Sequence, residues 1–512
     1  RRAGAIGAGP APIRLARPIG AGERIHVLGV AGAGASAAAL LAHGAGAIVS
    51  GCDPGGPSPY TAALEAAGIA MTWDHDPAHL GAGVDAAATV RPDRLAVTKA
   101  LTAIEPDHPE LRAARAAGIP VEAWQQVVAD AAVGRYLVAI AGTHGKSTTS
   151  GWLVELLAAA GADPSAFVGA LMPGRVTDGP PATARIGQGR AFVVEADEYA
   201  GNFDAYRPDL VVLTGAEWDH PDVFADGDAV VATFVRWIGA GPADGVAILN
   251  AGDAGARDVA RAIAGTRRVL SYRLVDDDGE PGAGWVADTA VAGRIVGAGP
   301  DGTELAITAL SDDGVTRTAR LLTAGRHNAA NALAVAAAAR HLGVDPDAII
   351  SGLAGFSGVG RRLERKGERG GVVVYDDYGH HPTAVRETIA AIRQREPGRR
   401  VWAVYEPLTY HRTAAMLDAF AAALATADAV AVADIWAGRD MDTSIASAPG
   451  LAAAVRAAAD DTRPVAAPGD VRATADWLAD HVRPGDAVLV MGGGHSYRIG
   501  ERLLEHLGAT DR

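Results

Sequence analysis

Short apolar runs ending in glycine or aspartate alternate along the chain with alanine-rich stretches, and the alternation occurs three times. A brief apolar run between turn residues reads as a buried strand, and a longer alanine-rich run as a helix. The first unit opens with "RIHVLGVAGAGAS", a strand, a glycine turn and a helix from about Ser36, and "AIVSGCD" is its next strand. The second opens with "RYLVAIAGTHGKSTTSGWLVELLAAAG", again strand, loop and helix, and continues through the strands "AFVVEADE" and "LVVLTGAEWDH". The third starts at the helix in "AGRHNAANALAVAAAARHLG" and runs through "VVVYDDYGHHP" and a helix to about Arg395. It goes on through "RVWAVYEP", a helix in "AAMLDAFAAALATA" and "AVAVADIW", and ends on "DAVLVMGGG". Strands alternating with helices predict parallel sheets with helices on both faces, so the fold class is α/β with a doubly wound last unit.

Boundaries fall near Gly134, where a strand follows "AAVG", and near Ala324, just before "GRHN". The expected parts are a flexible extension over 1–21 and domains over 22–133, 134–323 and 324–512. Pro10, Pro12, Arg14, Arg17 and Pro18 interrupt any apolar core of an export signal, which is why the first stretch reads as an extension. The segment from about Ser271 to Leu322 has short strand-like alternation and is expected to decorate the middle domain.

A length of 512 residues exceeds one ordinary core and agrees with several domains. The formal charge of −14 argues against nonspecific binding to nucleic acid or to an anionic membrane, while allowing a local basic pocket for phosphates. Alanine-rich runs such as "ASAAALLAHGAGA" are too short and too broken to span a bilayer. Cys52 is the single cysteine, which excludes an internal disulfide and fits a reducing, cytoplasmic setting.

The chemistry concentrates at predicted strand ends. In "VAIAGTHGKSTTS" the standard phosphate-loop pattern would put its first glycine at position 140, where Ile140 stands. Strand, glycine turn, Lys and hydroxyl, then helix is nevertheless the context such a loop needs. Backbone N–H groups from Gly142 through Thr143, His144 and Gly145 to Lys146 can wrap an anion at the helix N-terminus. Lys146 would reach the β- and γ-phosphates, and the Ser147 hydroxyl, followed by Thr148, would hold Mg²⁺. A glycine turn with a solvated lysine is the plain alternative. "VVEADEYAG" supplies Glu195, Asp197 and Glu198 at one strand end, and "TGAEWDHPD" supplies Glu217, Asp219 and His220 at another. Ligands of α/β sheets sit beyond the carboxyl ends of strands, so these groups and the loop can converge on a Mg²⁺–triphosphate site.

"GVAGAGAS" places Gly29, Gly32 and Gly34 after a strand, with Asp53 ending the next one, as in dinucleotide-type folds. It suggests a second phosphate-bearing ligand, with a structural turn as the alternative. In the third unit Arg361, Arg362 and Arg412 suit phosphate or carboxylate recognition, next to Asp376, Asp377, His380 and His381. Two consecutive histidines on a strand would face opposite sides, so at most one of the pair is expected to reach a ligand.

Taken together, "GTHGKST", "EADE", "DHPD", "GRHNAANALA", "GVGRR" and "DDYGHHPT" resemble the Mur ligases, ATP-dependent amide-forming enzymes of peptidoglycan synthesis, from about Ile25 to Leu507. The resemblance implies a Rossmann-like N-terminal domain for a UDP-sugar, a central P-loop ATPase-like domain and a Rossmann-like C-terminal domain for the amino acid. It implies ATP and Mg²⁺, UDP-N-acetylmuramate, and L-alanine as the expected amine. By the same resemblance Lys146 stabilises phosphate, Ser147 and Glu195 hold one metal and His220 a second, and Arg362 points at the ATP phosphates. His327, Asn328 and Asn331 match the adenine side, Gly29, Gly32, Gly34 and Ser36 the UDP-sugar loop, and Asp377 and His381 the joint site.

Several positions depart from the family pattern. Gly215 stands where Asn is usual, Tyr405-Glu406-Pro407-Leu408 replaces an aromatic-Gln-Pro-His stretch, and Ala31 and Ala35 replace Gly and Met. They leave open a related ligase with another amine, such as a recycled tripeptide, and a homologue that binds nucleotide and UDP-sugar without turnover.

Overall fold

A computed structural model describes residues 12–81, 91–275, 288–311, 313–438, 440, 442–459 and 463–510. Three sheets follow one another along the chain. The first contains β1 (Arg24–Leu28), β2 (Ile48–Cys52), β3 (Ala70–Thr72), β4 (Arg94–Val97) and β5 (Val121–Ala123), all parallel, in the order β3-β2-β1-β4-β5.

The second sheet is built on β6 (Tyr136–Ala141), β7 (Ser165–Met172), β8 (Ala182–Arg185), β9 (Ala191–Ala196) and β10 (Leu210–Leu213). It continues with β11 (Val246–Asn250), β12 (Arg268–Leu274), β13 (Asp288–Gly299), β14 (Gly302–Thr308) and β15 (Arg317–Leu321). Its order is β15-β14-β13-β12-β11-β10-β6-β9-β7-β8. The strands of the 271–322 stretch make one edge, with β14 and β15 antiparallel and β14 alternating buried and open positions. Central strands such as β10, with Leu-Val-Val-Leu fully buried, lack that alternation because both faces are covered.

The third sheet holds β16 (Glu364–Arg369), β17 (Val372–Asp377), β18 (Arg400–Glu406), β19 (Ala429–Ala433), β20 (Val465–Gly469) and β21 (Asp486–Gly492). Its order is β16-β17-β21-β18-β19-β20, parallel except for the edge strand β16.

Three expectations change. The helix Arg326–His341 was assigned to the last domain, but Ala329 and Ala332–Ala339 are buried in the core of the second sheet, with Leu153 and Leu156 of the helix Lys146–Ala159. A helix preceding a strand run carries no mark of which sheet it covers; here its small side chains permit close packing on the sheet behind it. The third sheet therefore begins at β16. The extension over 1–21 is docked from Arg14 onward: Arg14 pairs with Glu122 and Asp130 at 2.7 Å each, and Arg17 with Glu23 at 2.6 Å. Residues 1–11 lie outside the described residues. The helix expected through "AAMLDAFAAALATA" is two, Tyr410–Ala415 and Leu417–Leu424, broken at Met416 where φ is −119°.

The first two domains share a continuous apolar core, which includes Ala37 and Leu41 from one side and Phe167 and Ala184 from the other. That shared core fixes the glycine turn after β1 relative to the loop after β6.

Candidate active site

The buried strand β6 runs into Gly142-Thr143-His144-Gly145, and the helix Lys146–Ala159 follows. Gly142 and Gly145 have φ of +127° and +78°, and a Cβ on them would lie 2.3 Å from Thr214 Oγ1 and 2.5 Å from Asn331 Oδ1. Both positions therefore require glycine. Ile140 does not belong to the turn. It is a fully buried strand residue in register with Glu195 of β9 and Val212 of β10.

Among the described residues, no partner meets the backbone N–H groups of His144, Gly145 and Lys146, which sit at the positive end of the helix. Lys146 Nζ donates to Gly142 O at 2.6 Å and to Glu198 Oε2 at 2.9 Å. Burial alone would lower this ammonium's pKa, but the Glu198 and Asp197 carboxylates outweigh it and raise it, so the charge is retained. Ser147 Oγ donates to Glu195 Oε1 at 2.8 Å and accepts from Arg362 at 3.0 Å. An arginine from the entrance to the third domain thus touches the phosphate-loop serine.

Beyond β10, the Glu217 carboxylate accepts from His144 Nε2 at 2.9 Å and from Thr383 Oγ1 at 2.8 Å, linking this loop to the third domain. Arg412 donates to Asp219 Oδ1 at 2.8 Å and to His220 Nδ1 at 3.0 Å. Burial pushes Asp219 up, but His220 and Arg412 hold it well below the usual carboxylate range. His220 has φ of +56°, a conformation costly for a non-glycine residue and characteristic of sites where geometry is imposed. Its donor atom and those of Asp197 and Glu198 lie within 4.8 Å of one another.

Two cavities meet at the loop. One of about 580 Å³ extends from Gly34 and Trp124 of the first domain past Lys146, Ser147 and Glu195 to Arg412, Leu408 and Trp436. The other, about 420 Å³, is lined by Thr148, Asn250, His327, Asn328, Asn331 and Asp377 among others. His144, Gly145 and Arg362 line both, so the loop is their common wall. His327 Nδ1 is buried with no hydrogen-bond partner among the described residues, the Glu387 carboxylate lying 3.9 Å away, so its hydrogen-bonding capacity is open to a ligand base.

Other predicted residues stand differently. Gly29 has φ of +82°, and Gly34 would drive a Cβ to 2.2 Å from the Trp124 ring; Gly32 precedes the helix Ala33–Gly44. Ser36 is fully buried and bonds Ala33 O and Thr183 Oγ1 at the seam with the second domain. Asp53 accepts from Ala31 N and Gly55 N and shapes the loop from behind. Asp377 borders the second cavity, but its carboxylate is held by Leu363 N at 2.8 Å and Gly379 N at 2.7 Å.

The strand β17 ends at Asp377, so strand alternation does not govern His380 and His381, and both line the first cavity. His381 accepts from Thr383 N and donates to Trp218 O, leaving neither ring nitrogen free. His380 Nδ1 donates to Tyr378 O at 2.8 Å. Burial, with Arg412 nearby, keeps its imidazole neutral. Glu406 turns away from the cavities and accepts from Ser496 N at 2.7 Å, whereas Leu408 lines the first cavity beside Trp436. Thr383 and Trp124 were not singled out in the sequence. Pro382 at a helix start marked Thr383 as an N-terminal residue; nothing local marked Trp124.

Known proteins match most of this chain. Residues 24–136 match the Mur ligase family catalytic domain, 140–339 the Mur ligase middle domain, and 361–494 the Mur ligase glutamate ligase domain. A UDP-N-acetylmuramate–L-alanine ligase of Kineococcus radiotolerans is 40% identical over 485 residues, 94% of this chain and 96% of that protein. Its counterpart from Mycolicibacterium vanbaalenii is 37% identical over 492 residues, 95% of this chain and 97% of that protein. Among solved structures, the UDP-N-acetylmuramate-alanine ligase of Thermotoga maritima superposes with a TM-score of 0.73 at 21% identity, covering 95% of this chain and 99% of that one. A murein peptide ligase from Psychrobacter arcticus gives 0.68 at 24%, with 95% and 99% covered. These two likenesses bear on the fold; the matched domains and the full-length sequence relatives carry the conclusion that the chain belongs to the Mur ligase family.

Proposed function

We propose that the protein is an ATP-dependent, ADP-forming ligase that joins L-alanine to the carboxylate of UDP-N-acetylmuramate in peptidoglycan precursor synthesis. The observation that carries this reading is the meeting of Lys146, Ser147, Glu195 and Arg362 in the first cavity, beside the loop it shares with the second. ATP would be held along that loop, its base by His327 and Asn331 and its phosphates by the Gly142–Ser147 loop. The UDP-sugar enters from the Gly34 side, and the amine from the Leu408 and Arg412 side. Leu408 and Trp436 give that end an apolar wall, which suits a methyl side chain.

A carboxylate oxygen is a poor leaving group, and phosphorylation makes it a good one. The sugar carboxylate attacks the γ-phosphorus, ADP departs, and an acyl phosphate forms; the amine then attacks the carbonyl carbon and phosphate leaves. The Lys146 ammonium and Arg362 guanidinium stabilise charge on the transferring group, which is the dominant task in phosphoryl transfer. His380, neutral and with Nδ1 committed to Tyr378 O, offers Nε2 to the proton lost by the amine.

The donors suit Mg²⁺: the Ser147 hydroxyl and Glu195 carboxylate are 2.8 Å apart, and His220 belongs to a group with Asp197 and Glu198. When bound there, Mg²⁺ supplies charge neutralisation to the phosphates. We place the enzyme in the cytoplasm, in keeping with its lone Cys52; among the described residues no helix is long and apolar enough to cross a membrane.

The reading is tested by phosphate release from ATP with UDP-N-acetylmuramate and a panel of amino acids and the recycled tripeptide. L-alanine should support release and a product of the matching mass. Release only with the tripeptide would transfer the reading to the recycling ligase, and binding without release would make the chain a binding protein.

A further inference from the structure

We propose that His26, Cys52, His79 and Glu110 form a tetrahedral Zn²⁺ site in the first domain, on the sheet face away from the shared core. Alternation along β1 puts Ile25 and Val27 in the shared core and turns His26 and Leu28 to the opposite face. There His26 meets Cys52, the last residue of β2, His79 from the turn Pro77–Leu80, and Glu110 from the first turn of the helix Pro109–Ala116.

His26 Nε2 lies 3.3 Å from Cys52 Sγ, Cys52 Sγ 3.3 Å from Glu110 Oε1, and His79 Nδ1 3.3 Å from the same Glu110 oxygen. All four donor atoms fall within 4.8 Å of one another. Zinc bond lengths imply donor–donor edges of about 3.3–3.7 Å in a tetrahedron, so small adjustments suffice to surround one ion. The outward nitrogens are already engaged: His26 Nδ1 with Ser50 Oγ at 2.8 Å and His79 Nε2 with Thr72 Oγ1 at 3.2 Å. Second partners of this kind orient metal-binding imidazoles.

Charge supplies an independent argument. The Glu110 side chain is fully buried, and among the described residues its only ion-pair partners are the two histidines. No described lysine or arginine neutralises it there. Zn²⁺ with one thiolate and one carboxylate is a neutral set, and binding would release the Cys52 thiol proton to solvent. One sulfur, two imidazoles and one carboxylate select zinc over the hard cations that suit the phosphate site. The site would also brace the sugar loop, because the Cys52 carbonyl accepts from Gly29 N and Val30 N.

The test uses untagged protein, its zinc content measured, then stripped by chelator and titrated with Zn²⁺ or Co²⁺. One zinc per chain is expected, with a rise in Tm on zinc return and a sulfur-to-cobalt charge-transfer band in the Co²⁺ form. Cys52→Ser should abolish the band and the Tm response, and Glu110→Gln should weaken zinc binding about tenfold or more. Ser147→Ala should keep both zinc and the cobalt band. No zinc above background in wild-type protein, a cobalt spectrum without the sulfur band, or zinc lost in Ser147→Ala but kept in Cys52→Ser would overturn the proposal.

Discussion

The chain contains two strand–glycine turn–helix loops that look alike in sequence and differ in what they leave open. In the first, Cys52 O takes the N–H groups of Gly29 and Val30, Asp53 takes that of Ala31, and Gly29 O takes that of Gly32. In the second, those of His144 and Gly145 meet no partner among the described residues, and Lys146, Ser147 and Arg362 gather around them; the N–H groups that open the two helices, of Ala33 and Lys146, are alike in having none there. A glycine pattern therefore marks a tight turn, while the fate of its N–H groups and the charges beside it decide whether it grips a polyphosphate. The first loop instead presents the start of a helix at Gly34, packed on Trp124, to the shared cavity.

The largest effect that would sharpen this contrast is expected at the second loop. Lys146→Ala should lower kcat by about a hundred- to a thousandfold, the scale for losing one stabiliser of developing charge. Near-normal turnover in a folded variant would count against the assignment, as checked by steady-state kinetics with a thermal melt. At the first loop, Gly34→Ala should raise the KM for the UDP-sugar about tenfold, since the Trp124 ring must shift at a cost of ~1–3 kcal/mol. The Kd for ATP should be unchanged, and an equal loss of both would break the division of labour.

Ser36→Ala should act on stability, by about 1 kcal/mol in urea unfolding, because its hydroxyl bonds Ala33 O and Thr183. A large rise in the KM for UDP-sugar with unchanged stability would return Ser36 to the substrate. The smallest effect concerns Glu217, which ties the second loop to the third domain and has no counterpart at the first. Burial pushes its carboxyl up, but the hydrogen bond from His144 and the nearby His381 outweigh this and hold it at about 2. A lowered pKa stabilises the fold above the ordinary value and is lost as pH falls toward 2. Glu217 is partly exposed, so its share should stay below about 1 kcal/mol. The stability gap between wild type and Glu217→Gln in urea should narrow from pH 4.5 downward, and a constant gap would refute the latch.

Much of this was legible in the chain because it is local. Apolar runs located the central strands, and "GTHGKST" located a loop whose neighbours in sequence are its neighbours in space. Ile140 looked like a defect only because the pattern was counted into the strand. The helix Arg326–His341 was misplaced because an alanine-rich face fits either sheet equally well by pattern. Asp53 and Ser36 have residue types suited to a ligand, yet backbone and hydroxyl groups in the folded chain claim them first. His380 and His381 were judged by strand alternation, which stops at Asp377. The cluster of His26, Cys52, His79 and Glu110 is spread over two strands, a turn and a helix of the first domain, and no spacing in the sequence brings it together.

The central claim is that the phosphate held by Gly142 to Ser147 is given to the sugar carboxylate. It is tested most directly with UDP-N-acetylmuramate carrying ¹⁸O in that carboxylate, turned over with ATP and L-alanine, and mass analysis of the released phosphate. One ¹⁸O transferred to each phosphate is the predicted result. Unlabelled phosphate accompanying amide product would contradict it.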